Sequence, residues 1–130
     1  MKTITRWIND HQFISEQSGQ TISIDGNLKA GMSPKALLLS GVAGCSGVDV
    51  VDILQKMRVP FSKLEVEAEA DQTEEHPRVF TEVRLIYRID FAAEDMDKVR
   101  KAIELSLEKY CGVAAMLRKN SPVTYTLERI

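Results

Sequence analysis

Polar and apolar residues alternate in three short runs near the start of the chain. The runs cover residues 4–8, 13–16 and 21–24, and they are separated by Asn9-Asp10 and Ser18-Gly19. Alternation with a period of two is typical of half-buried strands, and Asn, Asp, Ser and Gly are favoured in tight turns. The pattern therefore predicts three antiparallel strands in the N-terminal part of the chain.

A long apolar run follows, from residue 36 onward to Met57. Ser33 and Pro34 stand just before it and fit an N-cap followed by a proline in the first turn of a helix. Asp49 and Asp52 interrupt the run, and a membrane span would have to desolvate both carboxylates. We therefore predict a long helix and no membrane span.

Two later stretches, residues 63–70 and 82–89, alternate apolar side chains with charged ones. The glutamates of the first stretch can lie opposite Arg84 and Arg88 of the second, and such cross-strand pairs contribute about 0.2–1 kcal/mol each. This pattern predicts a β-hairpin with one solvated face.

Apolar residues then recur at helical spacing between about residues 94 and 109, with charged residues among them. The pattern predicts an amphipathic helix whose apolar stripe covers the sheet, then a short helical turn over residues 111–118 and a strand over 123–127. Strands grouped at both ends of the chain around a long helix indicate an α+β fold.

The composition is that of an ordinary globular domain. The chain has 130 residues, 44% hydrophobic and 28% charged, with 17 basic and 19 acidic residues and a net charge of −2. Disorder is excluded, and nothing favours nucleic acid or an anionic membrane as a partner. We expect one domain over residues 1–130. Because the first residues contain no apolar core of a secretion signal, we expect it in the cytoplasm.

The long helix is apolar nearly all round in its first four turns. Gly41, Gly44 and Gly47 would let another backbone approach it closely. One small sheet covers only one side of such a helix, so the pattern predicts an obligate homodimer. The alternative is that the glycines admit a bulky side chain of the same subunit.

Cysteine is the remaining source of chemistry. Cys45 and Cys111 form no C-x-x-C pair, and His11 and His76 lie in separate segments without ligand-like spacing. A P-loop, a dinucleotide fingerprint and a G-x-S-x-G elbow are absent. We therefore expect no metal and no cofactor, and any reaction should be thiol chemistry.

The chain resembles the OsmC/Ohr-type proteins. The resemblance covers nearly the whole chain and is carried by Ser33-Pro34, Leu37-Leu38-Leu39, Ala43-Gly44-Cys45-Ser46 and the run from Glu108 to Ala114. It implies an intertwined homodimer with active sites at the subunit interface. It also implies that Cys45 attacks organic hydroperoxides, that Cys111 resolves the product as a disulfide, and that an external dithiol restores both thiols in an oxidative stress response. No metal or flavin is implied.

The chain also departs from the family pattern. Lys35 stands where the active peroxidases have a glutamate that holds a catalytic arginine, and residues 12–28 contain no arginine, with only Arg6 earlier. Gly112 replaces the usual proline after the second cysteine. We therefore expect slow peroxidase activity. Lys35, Arg84 and Arg88 are candidate substitute cations, or simply a surface lysine and hairpin charges.

The residues themselves favour Cys111 as the thiol that ionises more easily. It begins a helical turn and lies near Lys109, whereas Cys45 lies about three turns inside an apolar helix. The family nevertheless assigns the attack to Cys45, and we adopt that assignment. The alternative function is a binding module for a small hydrophobic ligand, in which both cysteines are compact buried side chains.

Overall fold

The computed structural model describes residues 1–130, which contain two compact units, residues 1–38 and residues 39–130. The secondary structure is α+β, as the sequence predicts. That the whole chain acts as one domain stays a prediction.

The first unit contains a three-stranded antiparallel meander. Its turns place Asp10, Ser18 and Gly19 at φ of 45°, 47° and 84°, in the left-handed region that these residue types tolerate. The prediction of three N-terminal strands is confirmed. In chain order the strands are β1 (Ile4–Asn9), β2 (Gln12–Gln17) and β3 (Gln20–Asp25), with β2 in the middle.

The long helix α1 covers Pro34–Lys56, within a residue of the predicted end. Its buried residues recur every fourth position and belong to the core of the second unit: Val42, Ser46, Val50 and Leu54. The helix α1 is long and apolar enough to cross a membrane. The core helix of a soluble protein meets the same two criteria.

The sheet of the second unit has three strands, β4 (Leu64–Gln72), β5 (Phe80–Ile89) and β6 (Val123–Arg129). The central strand β5 pairs antiparallel with β4, which confirms the predicted hairpin, and parallel with β6. Parallel pairing requires a long crossover, which the segment between β5 and β6 provides. Alternate residues of β5 are fully buried: Val83, Leu85, Tyr87 and Ile89.

The outer face of this sheet carries the predicted charge pairs. Arg84 and Arg88 each contact three carboxylates at 2.8–3.1 Å. The hydrogen bonds that both arginines donate to these carboxylates raise the pKa of each arginine. Both arginines are therefore hairpin charges. The carboxylates are those of Glu69, Asp71 and Glu82 for Arg84, and of Glu65, Glu67 and Glu128 for Arg88.

The predicted second helix is not uniform. A 3₁₀ turn at Ala93–Asp95 leads into α2 (Met96–Leu105), which passes into a π-helical turn at Ser106–Tyr110. The short helix α3 follows at Gly112–Arg118. Apolar spacing predicts which face is buried, and it cannot detect a change of hydrogen-bond register within a helix.

Candidate thiol site

Both cysteines belong to the second unit, and the fold brings them together. Cys45 is half-buried on α1, whereas Cys111 is 2% exposed between the π-helical turn and α3. Both are free thiols, and the side chain of Cys45 acts on that of Cys111 and raises its pKa. Two residues far apart in sequence thus form one thiol pair.

Local backbone structure fixes the position of Cys111. Its N–H donates to the carbonyl oxygen of Ser106 at 2.7 Å, which closes the π-helical turn. Its extended backbone makes it the N-cap of α3, and its Sγ accepts the N–H of Ala114 at 3.3 Å. A side chain that satisfies a free N–H is the ordinary device for starting a helix.

Burial raises the pKa of the Cys111 thiol from 9.0 to about 11. The N–H of Ala114 lowers that pKa, while the neighbouring Cys45 and Asp49 raise it further. The expectation that the helix start and Lys109 favour ionisation of Cys111 is therefore wrong, because one N–H does not offset desolvation and a nearby carboxylate. Lys109 is engaged elsewhere, since its Nζ lies 5.3 Å from the centre of the Tyr110 ring.

Beside the thiol pair lies a chain of hydrogen-bonded hydroxyl groups. The Oγ of Ser46 lies 2.6 Å from the Tyr87 hydroxyl and 2.8 Å from the Oγ of Ser106. Ser106 in turn donates to Oδ2 of Asp49 at 2.9 Å. The three hydroxyl residues are 0% exposed and Asp49 is half-buried. We call these four residues the hydroxyl chain.

The pattern of the sequence did not predict the hydroxyl chain, although the sequence places polar residues at core positions. Tyr87 lies on the apolar face of its strand, Ser106 follows Ile103 by three positions on the buried stripe of its helix, and Ser46 lies within the long apolar run. Polar residues at core positions are unusual and must find buried partners. Only the fold shows that these residues are partners of one another.

Burial raises the pKa of Tyr87 to about 12. Its hydrogen bond to Ser46 acts in the opposite direction, whereas the charges of Cys111 and Asp49 raise the pKa further. Tyr87 is therefore a neutral hydroxyl that can donate a proton within the chain. Its ring packs edge-on against that of Tyr125, with centroids 6.0 Å apart.

The remaining predicted residues lie elsewhere. Lys35 lies in the first turn of α1, ten positions before Cys45 in the sequence. No group of three or more His, Cys, Asp or Glu side chains is placed to hold a metal ion.

Comparison with known proteins gives consistent matches. The sequence model of the OsmC-like protein family matches residues 25–126. Protein YhfA of Escherichia coli strain K12 is 37% identical over 130 residues, covering 98% of this chain and 97% of YhfA.

Solved structures share the fold. A hypothetical protein of Aquifex aeolicus VF5 is 26% identical, with a TM-score of 0.84 over 99% of this chain and 96% of its own. The organic hydroperoxide resistance protein OhrB of Bacillus subtilis is 16% identical, with a TM-score of 0.66 over 98% and 96% of the two chains.

Proposed function

Because this chain belongs to the OsmC-like protein family, we propose that it is a cysteine-based redox protein that slowly reduces organic hydroperoxides with thiols. The observation that carries the proposal is that two free thiols, Cys45 and Cys111, belong to one packed unit and interact with each other. Two neighbouring free thiols are what a peroxide-reducing cycle without a cofactor requires.

In the proposed cycle, the thiolate of Cys45 attacks one oxygen of the hydroperoxide. The O–O bond breaks, Cys45 becomes a sulfenic acid, and the alkoxide leaves as an alcohol after taking a proton. Cys111 then attacks the oxidised sulfur, so a disulfide forms and water leaves. An external dithiol reduces the disulfide and returns both thiols.

Three features of the chain support a slow rate. Lys35 replaces the glutamate of the active peroxidases, and Arg84 and Arg88 are engaged by hairpin carboxylates. A missing donor to the developing charge commonly costs about 10²–10³ in rate. The Asp49 carboxylate also opposes negative charge at Cys111.

We propose further that the protein acts as a homodimer in the cytoplasm, with neither nucleic acid nor membrane as a partner. A Cβ added at Gly44 or Gly47 would meet nothing within 4 Å, and Val48, which follows Gly47, is 63% exposed. This face of α1 is apolar and uncovered in the single chain, and a second copy would remove it from water.

A second candidate function is binding of a small hydrophobic ligand without catalysis. Cys111 is buried with a raised pKa, and a buried free cysteine commonly serves as a small apolar side chain. An open groove of about 400 Å³ is also present in the second unit. Neither cysteine lines the groove, which makes this function the weaker candidate. Its lining residues are Glu104, Leu107, Glu108, Arg118, Val123 and Tyr125.

Titration with cumene hydroperoxide separates the two functions. Fully reduced protein is mixed with increasing oxidant, and its free thiols are counted after denaturation. The redox protein should lose both thiols at about one equivalent of oxidant, because each turnover consumes two thiols. The Cys45→Ser variant, as the control, should keep its remaining thiol. Retention of both thiols in the wild type would contradict hydroperoxide reduction and favour the binding function.

A further inference from the structure

Ser106 forms hydrogen bonds with both of the segments that carry the thiols. Its Oγ lies 2.8 Å from the Oγ of Ser46 and donates to Oδ2 of Asp49 at 2.9 Å. Ser46 and Asp49 lie three positions apart on α1, and Ser46 directly follows Cys45. The side chain of Ser106 therefore binds the part of α1 that carries Cys45.

The backbone of Ser106 contacts the other thiol residue. Its carbonyl oxygen accepts the N–H of Cys111 at 2.7 Å, and this hydrogen bond closes the π-helical turn. Cys111 has extended backbone and begins α3. One serine thus joins the backbone of Cys111 to the residue that follows Cys45.

The hydrogen bond from Ser106 to Asp49 is the stronger of its two side-chain contacts. A carboxylate only accepts hydrogen bonds, so Ser106 donates its one hydroxyl proton to Asp49 and accepts the proton of Ser46. Hydrogen bonds to ionised acceptors are about twice as strong as those between neutral groups. Ser106 is 0% exposed, so solvent does not compete for its hydroxyl.

The π-helical turn receives a further contact from α3. The π-helix is rare and is found mostly as a single turn within an α-helix. Nη1 of Arg118 donates to the carbonyl oxygen of Leu107, the second residue of the turn. Hydrogen bonds from α1 and from α3 therefore hold the turn, and Cys111, which directly follows it, takes its position from them.

We propose that Ser106 is a positioning residue for disulfide formation, which holds Cys111 where its sulfur can reach the oxidised sulfur of Cys45. The proposal rests on the proposed two-cysteine function. In that step the S–O bond of the Cys45 sulfenic acid breaks, the S–S bond forms, and the leaving hydroxide takes up the proton that Cys111 loses and departs as water. A disulfide requires Cα atoms about 4.4–6.8 Å apart, so a small shift of the turn should slow its formation.

The positioning role can be tested without peroxide. Reduced protein is mixed with 2,2′-dithiodipyridine, and thiopyridone release is followed by stopped-flow absorbance. In the first phase the half-buried Cys45 forms a mixed disulfide and releases one thiopyridone. In the second phase Cys111 attacks the Cys45 sulfur of that mixed disulfide, and a second thiopyridone leaves. Cys111→Ser should show the first phase alone.

Ser106→Ala is the main variant, because it removes both side-chain contacts with α1. We expect its second phase to slow by about 10- to 10²-fold, since a misplacement of about 1 Å can have that effect, while its first phase is unchanged. Ile103→Val removes one buried methyl group from α2 and is the control for a general loss of stability. Both of its phases should match those of the wild type.

Two replacements of Asp49 separate hydrogen bonding from charge. Asp49→Asn and Asp49→Leu give side chains of similar size, and both remove the carboxylate that raises the pKa of Cys111. Only asparagine keeps an oxygen that accepts the Ser106 proton. We expect the second phase to be about 10-fold slower in Asp49→Leu than in Asp49→Asn. This comparison still tests the proposal if Ser106→Ala does not fold.

Several results would overturn the positioning role. An unchanged second phase in Ser106→Ala would do so, as would equal second phases in the two Asp49 variants. Equal slowing in Ile103→Val would assign the effect to lost stability. Release of fewer than two thiopyridones by the wild type would show that Cys111 does not reach Cys45. Because the assay contains no peroxide, failure of hydroperoxide reduction would leave a positive result standing.

Discussion

The N–H of Cys111 donates a 2.7 Å hydrogen bond to the carbonyl oxygen of Ser106 across a π-helical turn. The hydroxyl of the same serine belongs to the hydroxyl chain, where it joins Ser46 to Asp49. Isolated π-helical turns within helices occur frequently at functional sites. Here the turn ties the position of a buried thiol to that of a buried polar network.

The two cysteines should differ in what their replacement does to hydroperoxide turnover. Cys45→Ser should abolish peroxide consumption, because no attacking sulfur remains. Cys111→Ser should still consume about one equivalent and stop at the sulfenic acid, which dimedone labelling and mass spectrometry detect. Equal sulfenic acid formation at Cys111 in the Cys45→Ser variant would reverse the proposed roles.

Restoring the charges of the active peroxidases should raise the rate. We expect Lys35→Glu combined with one arginine, placed in turn at each position of residues 15–23, to accelerate hydroperoxide consumption. An added donor to the developing charge can contribute about 10²-fold. Stopped-flow measurement under pseudo-first-order conditions checks this, with Lys35→Gln and each single change as controls. A wild type as fast as efficient thiol peroxidases would contradict the premise.

The hydroxyl chain should also contribute to stability. Ser46→Ala should lower the free energy of unfolding by about 1–3 kcal/mol, because it leaves the buried hydroxyl of Tyr87 without its acceptor. Urea denaturation followed by circular dichroism measures the change. Ser40→Ala, at an exposed position of the same helix, is the control and should change stability little. Equal midpoints for the two variants would show that the Tyr87 hydroxyl finds another partner.

Assembly of the proposed homodimer should depend on Gly44. Gly44→Leu should weaken or prevent assembly, since overpacking at a close contact costs about 1–3 kcal/mol or more. Size-exclusion chromatography with light scattering measures the mass. Lys56→Leu, at the end of α1, adds a leucine on the same helix and should leave assembly intact. A folded wild-type monomer at micromolar concentration would be the contrary result.

Stability should fall in alkaline solution partly because of Cys111. Its folded-state pKa of about 11 lies above the ordinary value of 9.0. The folded state therefore holds the proton more tightly, so the thiol stabilises the fold below about pH 9 and loses that contribution as the pH rises to about 11. Urea unfolding across this range should show a steeper loss for the wild type than for Cys111→Ala. Parallel curves would contradict the raised pKa. Tyr87 has a pKa raised to about 12 and titrates mostly above this range.

Local and periodic features were predictable from the chain. Period-two alternation and turn residues predict the three N-terminal strands and the β4–β5 hairpin, and helical spacing and cap residues predict the helix that begins at Pro34. These signals act over a few neighbouring positions. The cross-strand pairing of Arg84 and Arg88 with glutamates was also predictable from the sequence, because the alternation of apolar and charged residues specifies the strand register.

The sequence by itself thus determined the element order, the α+β class, the family and the two candidate thiols. Only the tertiary structure decided that the Cys111 thiol has a raised pKa, because desolvation of Cys111 depends on the elements packed around it and outweighs the local helix start that favours ionisation. It also decided the partners of Ser46, Tyr87, Ser106 and Asp49. Buried hydrogen bonds join residues that are distant in sequence, and no periodic pattern encodes such pairs.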